Sequence, residues 1–118
     1  MRILVCGSRH FSNPQYMYSI LDRLHDDLKI DAVIHGAARG ADALAGTWAM
    51  HNNVFCQPYP ADWNQHGKTA GPIRNRLMLT EGRPDLVVAF MDGAGPGTNN
   101  MITQAQRAGV NVRKCFSS

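Results

Sequence analysis

Three short segments of the chain gather glycine with arginine, carboxylate or hydroxyl side chains. They are Gly7-Ser8-Arg9-His10, Gly36-Ala37-Ala38-Arg39-Gly40-Ala41-Asp42 and Asp92-Gly93-Ala94-Gly95-Pro96-Gly97-Thr98. Glycine lets a backbone approach a ligand closely, and the first amides of a helix lack partners inside it, so such segments can donate to phosphate oxygens. Arg9 and Arg39 add positive charge at the same places. The chemistry suggested is the holding of a small anion, above all a nucleotide phosphate. No segment is diagnostic alone: no Gly-Lys-Ser/Thr closes the second, and no GxGxxG follows the first apolar run. A glycine turn also serves plain chain reversal. Three such segments, two of them with arginine, favour a ligand site.

Other side chains carry two readings each. Trp63 could stack on a base or anchor a long loop to the domain. Asp42 could hold a ribose or act as a base, but a carboxylate near a helix start is also an ordinary partner of the helix dipole. Asp62 stands beside Trp63 and close to His66, a better setting for function. His10, His35 and His66 could converge, yet none has a Cys or second His within a turn, so no metal site is expected. Cys6, at a strand end, reads as a small core residue, and Met17, Met78 and Met101 as core filler.

The elements that must position these residues alternate in type. Short apolar runs predict strands at Arg2 to Cys6, Ala32 to His35, Val54 to Pro58, Leu86 to Phe90 and Val110 to Arg113. All are mostly apolar on both faces, as a doubly covered parallel sheet requires. Pro14 to Leu28 sets Met17, Ile20, Leu21, Leu24 and Leu28 on one helical face, with Asn13 as N-cap and Pro14 at the first position. Further helices are predicted over Ala41 to His51, Pro72 to Thr80 and Asn99 to Ala108, the last stopped by Gly109. Tyr59 to Gly71 reads as a long irregular stretch. The alternation implies an α/β fold, a Rossmann-like three-layer sandwich with a five-stranded parallel sheet ordered 3-2-1-4-5. All three glycine segments then leave strand C-terminal ends on one edge. The first and third flank the switch point, where ligands of such sheets bind.

Residues 1–118 are expected to form one domain, since no linker-like stretch interrupts them. With 44% hydrophobic and 18% charged residues, the chain can build a core without metal or disulfides. Three widely spaced cysteines suit a reduced, cytoplasmic interior better than a disulfide framework, and no stretch approaches a signal core or membrane span. A net charge of +3 admits a polyanion, but the basic residues are scattered, which argues against nucleic acid and for a small anionic ligand.

The chain from end to end resembles the YspA/YpsA-related branch of the SLOG superfamily. The resemblance is carried by Val5-Cys6-Gly7-Ser8-Arg9, by His35 to Asp42, by Ala61-Asp62-Trp63 with His66-Gly67-Lys68, by Ala70-Gly71-Pro72 with Arg74-Asn75 and Met78, and by Gly95-Pro96-Gly97-Thr98. It implies a Rossmann-like domain, from a phage or bacterium, that binds nucleotides, nucleotide-derived signals or nucleic acid. For this branch it points to NAD- or ADP-ribose-like ligands. Gly95, Gly97 and Thr98 match the superfamily's phosphate loop. Arg74 matches the arginine that helps hold and cleave the nucleotide in the cytokinin-activating phosphoribohydrolases. Those enzymes carry a glutamate three positions beyond the loop threonine, where this chain has Met101.

The expected function is therefore binding or sensing of a phosphate-bearing nucleotide derivative, with no further cofactor. Gly95, Gly97 and Thr98 would hold a phosphate, with Gly7, Ser8, Gly36, Gly40 and Asp42 lining the edge. Arg9, Arg39 and Arg74 would add charge, and Trp63 or Asn75 would contact the base. The alternative is a hydrolase of an N-glycosidic or phosphate bond, in which Arg74 and either Asp62 or Asp92 would be catalytic. A third reading is DNA binding, as in the DNA-processing protein DprA of the same superfamily. An exposed apolar helix face would permit a homodimer.

Overall fold

A computed structural model describes residues 1–117. Five parallel strands, β1 (Arg2–Gly7), β2 (Ala32–His35), β3 (Phe55–Pro58), β4 (Leu86–Phe90) and β5 (Asn111–Cys115), form one sheet in the order β3-β2-β1-β4-β5. This is the α/β Rossmann-like arrangement that the alternation of runs predicts. β1 sits at the centre, paired with β2 through Arg2–Leu4 and with β4 through Ile3–Gly7. Parallel strands need crossovers, and each crossover places a helix on a face. Helices α1 (Pro14–Leu28) and α2 (Ala41–His51) flank one side, where Met17, Leu21, Leu24, Ala45 and Trp48 pack with Ile3, Val5 and Val88. Helices α4 (Ala70–Thr80) and α5 (Pro96–Arg107) cover the other, with Met78, Met101, Ile102 and Ala105 against Leu4, Cys6, Val87 and Ala89.

Helix ends follow their local chemistry. Asn13 accepts from the Tyr16 amide at 3.1 Å ahead of Pro14, and Gly109 takes a φ of +76° beyond α5. The three methionines expected in the core are buried, as is Cys6.

Three expectations are corrected. The stretch Tyr59 to Gly71 is not irregular throughout. Asp62 accepts from the Gln65 amide at 3.0 Å and starts a short helix α3 (Trp63–His66), a 3-10 turn (Gly67–Thr69) follows, and α4 begins two residues before Pro72. The last helix starts at Pro96, three residues earlier than Asn99, because Pro suits the first helical position where an amide would go unused. The outer strands are also not covered on both faces: Phe55 of β3 is 61% exposed, and Arg113 and Lys114 of β5 face solvent. Charge there blunts a free sheet edge. Among the described residues no helix is long and apolar enough to cross a membrane.

Candidate functional site

The turns after β1, β2 and β4 lie on one edge of the sheet, and they differ in what their backbones are free to do. In the β1 turn the buried Ser8 folds the chain back on itself: its carbonyl accepts from Phe11 and Ala41 amides at 3.2 and 3.1 Å, and its Oγ accepts from the His10 amide at 2.9 Å. Gly7 and Gly40 make this clamp possible. A Cβ on Gly7 would lie 2.7 Å from the Ala41 Cβ, and one on Gly40, at φ +74°, would lie 2.5 Å from the Arg9 carbonyl oxygen. At each, the space a side chain would fill is taken by the facing segment, Ala41 for Gly7 and the Arg9 backbone for Gly40. Arg9, His10 and Arg39 are exposed around the clamp.

The β2 turn directs its amides inward. Gly36 and Ala38 donate to Asp42 Oδ2 at 3.1 and 3.2 Å, and Ala37, at φ +59°, donates to His35 Nδ1 at 2.9 Å. Asp42 is only 8% exposed, and its Oδ2 is taken by the turn's own amides. Burial pushes its carboxyl up to about 6, against the opposing pull of the Ala38 amide, the Arg74 guanidinium and the Gly36 amide. Burial also lowers His35, which fits a neutral ring accepting at Nδ1.

Arg74, half-buried on α4, is fixed along one side of its guanidinium. Nη1 donates to the Gly36 carbonyl at 2.6 Å and Nε to Asn75 Oδ1 at 2.9 Å. Of its five N–H donors, three keep no partner among the described residues. A Cβ on Gly36 would lie 2.8 Å from Arg74 Cζ, so a side chain there would displace the guanidinium from its present place. Burial lowers Arg74, and the charge of Asp42 opposes that. Cys6, below them, has its thiol pushed up to about 12, first by burial and then by Asp42, and stays protonated.

The β4 turn and the start of α5 are open. The amides of Gly97 and Thr98 have no partner among the described residues, since the first bond of the helix runs from Asn99 to Gly95. A Cβ on Gly95 or Gly97 would meet nothing within 4 Å. Thr98 is buried behind them. Asn75, 3% exposed, joins this turn to Arg74: its Nδ2 donates to the Gly97 carbonyl at 3.2 Å and to Asn100 Oδ1 at 3.0 Å. With its amide so occupied, Asn75 is a bracket between Arg74 and the loop. The structure thus brings together Gly36, Asp42, Arg74, Asn75 and Gly97.

The remaining carboxylates stand apart from this cluster. Asp62 is exposed and caps α3. Asp92 accepts from both the backbone amide and the hydroxyl of Ser117. Trp63 is 57% exposed, next to Gly71, beside a shallow depression of about 380 Å³ formed with Pro60, Ala61, Asp62 and Asn64. Among the described residues, no three His, Cys, Asp or Glu side chains group as metal ligands.

Residues 1–66 match the family described as YAcAr: YspA, cpYpsA-related SLOG family. Over 117 residues the chain is 38% identical to the Gene 61 protein of Mycobacterium phage D29, an alignment covering 94% of this chain and 93% of that protein. The chain belongs to the YspA, cpYpsA-related SLOG family. The stretch matched to this SLOG family runs from β1 through α3 and so includes the β1 and β2 turns. Arg74 and the Gly95–Thr98 loop fall within the longer likeness to the phage protein.

Sequence reasoning missed several residues of this SLOG site. Asn100 accepts from Gln104 Nε2 at 2.8 Å as well as from Asn75, and Gln104 donates to the Pro72 carbonyl at 3.1 Å, tying α5 to α4. Their spacing of four on one helix was the available signal. His35 was weighed only as a metal ligand.

Proposed function

We propose that the chain binds a phosphate-bearing nucleotide or nucleotide derivative of the ADP-ribose or NAD kind, as a sensor or binding module. A ligand phosphate would sit on the Gly97 and Thr98 amides at the start of α5, with Arg74 supplying charge from α4. The observation that carries this reading is the contrast among the turns. The Gly36 and Ala38 amides of the β2 turn are spent on Asp42, whereas the Gly97 and Thr98 amides at the α5 start have no partner among the described residues, and a Cβ on Gly95 or Gly97 would meet nothing within 4 Å. Helix dipole and free amides together favour an anion there. Membership of the SLOG family supports a nucleotide-related role.

Binding is favoured over hydrolysis by where the carboxylates are spent. Asp42 is bonded inside its turn, Asp62 caps α3 and Asp92 holds Ser117. Met101, at the position of the phosphoribohydrolase glutamate, is wholly buried. The test is calorimetry of wild type and Gly97→Asp against ADP-ribose, NAD, AMP and cyclic nucleotides. A carboxylate on that open surface repels phosphate without a clash, so binding should vanish while folding persists. Unchanged affinity in the variant would reject the α5 start as the phosphate site. Chromatography should find no free base or ribose phosphate released from AMP by the wild type, and multiple turnover would favour the hydrolase.

A further inference from the structure

We propose that Asp42 is the resident anion of the β2 turn: its carboxylate fills an amide cradle that a ligand phosphate would otherwise enter, and through the Gly36 residue it sets the guanidinium of Arg74. Successive inward-facing amides with a left-handed residue among them make a concavity suited to an anion. Here Gly36 and Ala38 point into one, with Ala37 at φ +59° between them, and the oxygen they meet belongs to the protein. Gly36 is bonded at both ends. Its amide donates to Asp42 Oδ2 and its carbonyl accepts from Arg74 Nη1 at 2.6 Å. Asp42 is therefore a positioning residue for Arg74, acting through one glycine over which the guanidinium lies. Asp42 makes no direct ion pair with Arg74 among the described residues, so its effect on the arginine runs through geometry as well as through its field.

The inference deepens the phosphate reading and gives it selectivity. With the Gly36 and Ala38 amides already spent on Asp42, a phosphate is turned away from that cradle, and the proposed site at the α5 start stays available.

The test uses amide spectra of the full chain. In the ligand-free wild type, formate should leave Gly36 and Ala38 unmoved. In Asp42→Ala, formate should enter the vacated cradle, shift both amides saturably and move the Arg74 Nε–H with them. Inorganic phosphate should shift Gly97 and Thr98 alone in the wild type, and Gly36 and Ala38 as well in the variant. Asp42→Ala should weaken nucleotide binding at least about tenfold, with formate restoring most of it. Restoration by an added carboxylate is a response that a merely structural side chain would not give.

Phosphate-induced shifts at Gly36 and Ala38 in the wild type would overturn the inference. So would a folded Asp42→Ala that ignores formate. If Asp42→Ala does not fold, acid titration of the wild type decides: Gly36, Ala38 and the Arg74 Nε–H should move with one midpoint, and independent or absent movement overturns the inference. Arg74 of α4 and Cys6 of β1 are the other ionisable groups facing Asp42, and both keep their protons in that range. His35 reports separately through Ala37. Silence of Gly97 and Thr98 toward phosphate, with the formate response intact, would reject the α5 phosphate site and still support the role of Asp42.

Discussion

Asp42 makes the fold less stable as pH rises through the acid range, opposite in sign to an ordinary ion-paired carboxylate. Its carboxyl titrates at about 6 in the folded chain against an ordinary 3.8, chiefly because burial disfavours the charge. Between those values the native state holds a proton that the unfolded chain has lost. The contribution is therefore fully present below pH 3.8, declines as pH rises toward about 6, and stays lost above it. The displacement corresponds to about 3 kcal/mol, a large part of a typical domain's total of about 5–15 kcal/mol. Asp42→Asn keeps an oxygen for the Gly36 and Ala38 amides but carries no charge. Urea unfolding of both proteins from pH 4 to 7.5, followed through the buried Trp48, isolates the effect, since other titrating groups cancel in the difference. The two should be similar near pH 4, and the variant should be more stable by up to about 3 kcal/mol at pH 7.5. Parallel curves, or a wild type that gains on the variant as pH rises, would refute the reasoning.

Gly40→Ala, which needs a left-handed backbone and collides with the β1 turn, should lose about 2–4 kcal/mol of stability by urea unfolding. Gly97→Ala, facing open space, should stay within about 0.5 kcal/mol of wild type in the same assay. Asn75→Ala strips partners from Arg74 Nε, Asn100 and the Gly97 carbonyl and should cost about 2–3 kcal/mol. The same variant should weaken nucleotide binding in calorimetry, because it frees Arg74 and the Gly97 loop together.

The sheet order was legible because β1, β2 and β4 are short, apolar and separated by amphipathic runs, and because parallel connections leave few topologies. Helix α1 announced itself through Asn13, Pro14 and its apolar face. The segment after β3 was hidden, since α3 is a single turn held by one Asp62 cap and the start of α4 at Ala70-Gly71 has no cap of its own. Composition picks out the three turns of this edge but not what their backbones are bonded to. Gly7, Gly36, Gly40 and Gly97 look alike in sequence; what separates them is what stands opposite: Ala41, Arg74, Arg9 or nothing. The burial and hydrogen bonds of Asp42 and Asn75 are not legible in sequence, because they depend on chain segments that meet only in the folded protein.

Native mass spectrometry of freshly purified wild type and Gly97→Asp tests the central claim most directly. The account predicts that wild type carries an added mass matching a phosphate-bearing nucleotide derivative, and that the equally folded variant emerges without it. The same adduct on both proteins, or an adduct with no phosphate, would contradict it.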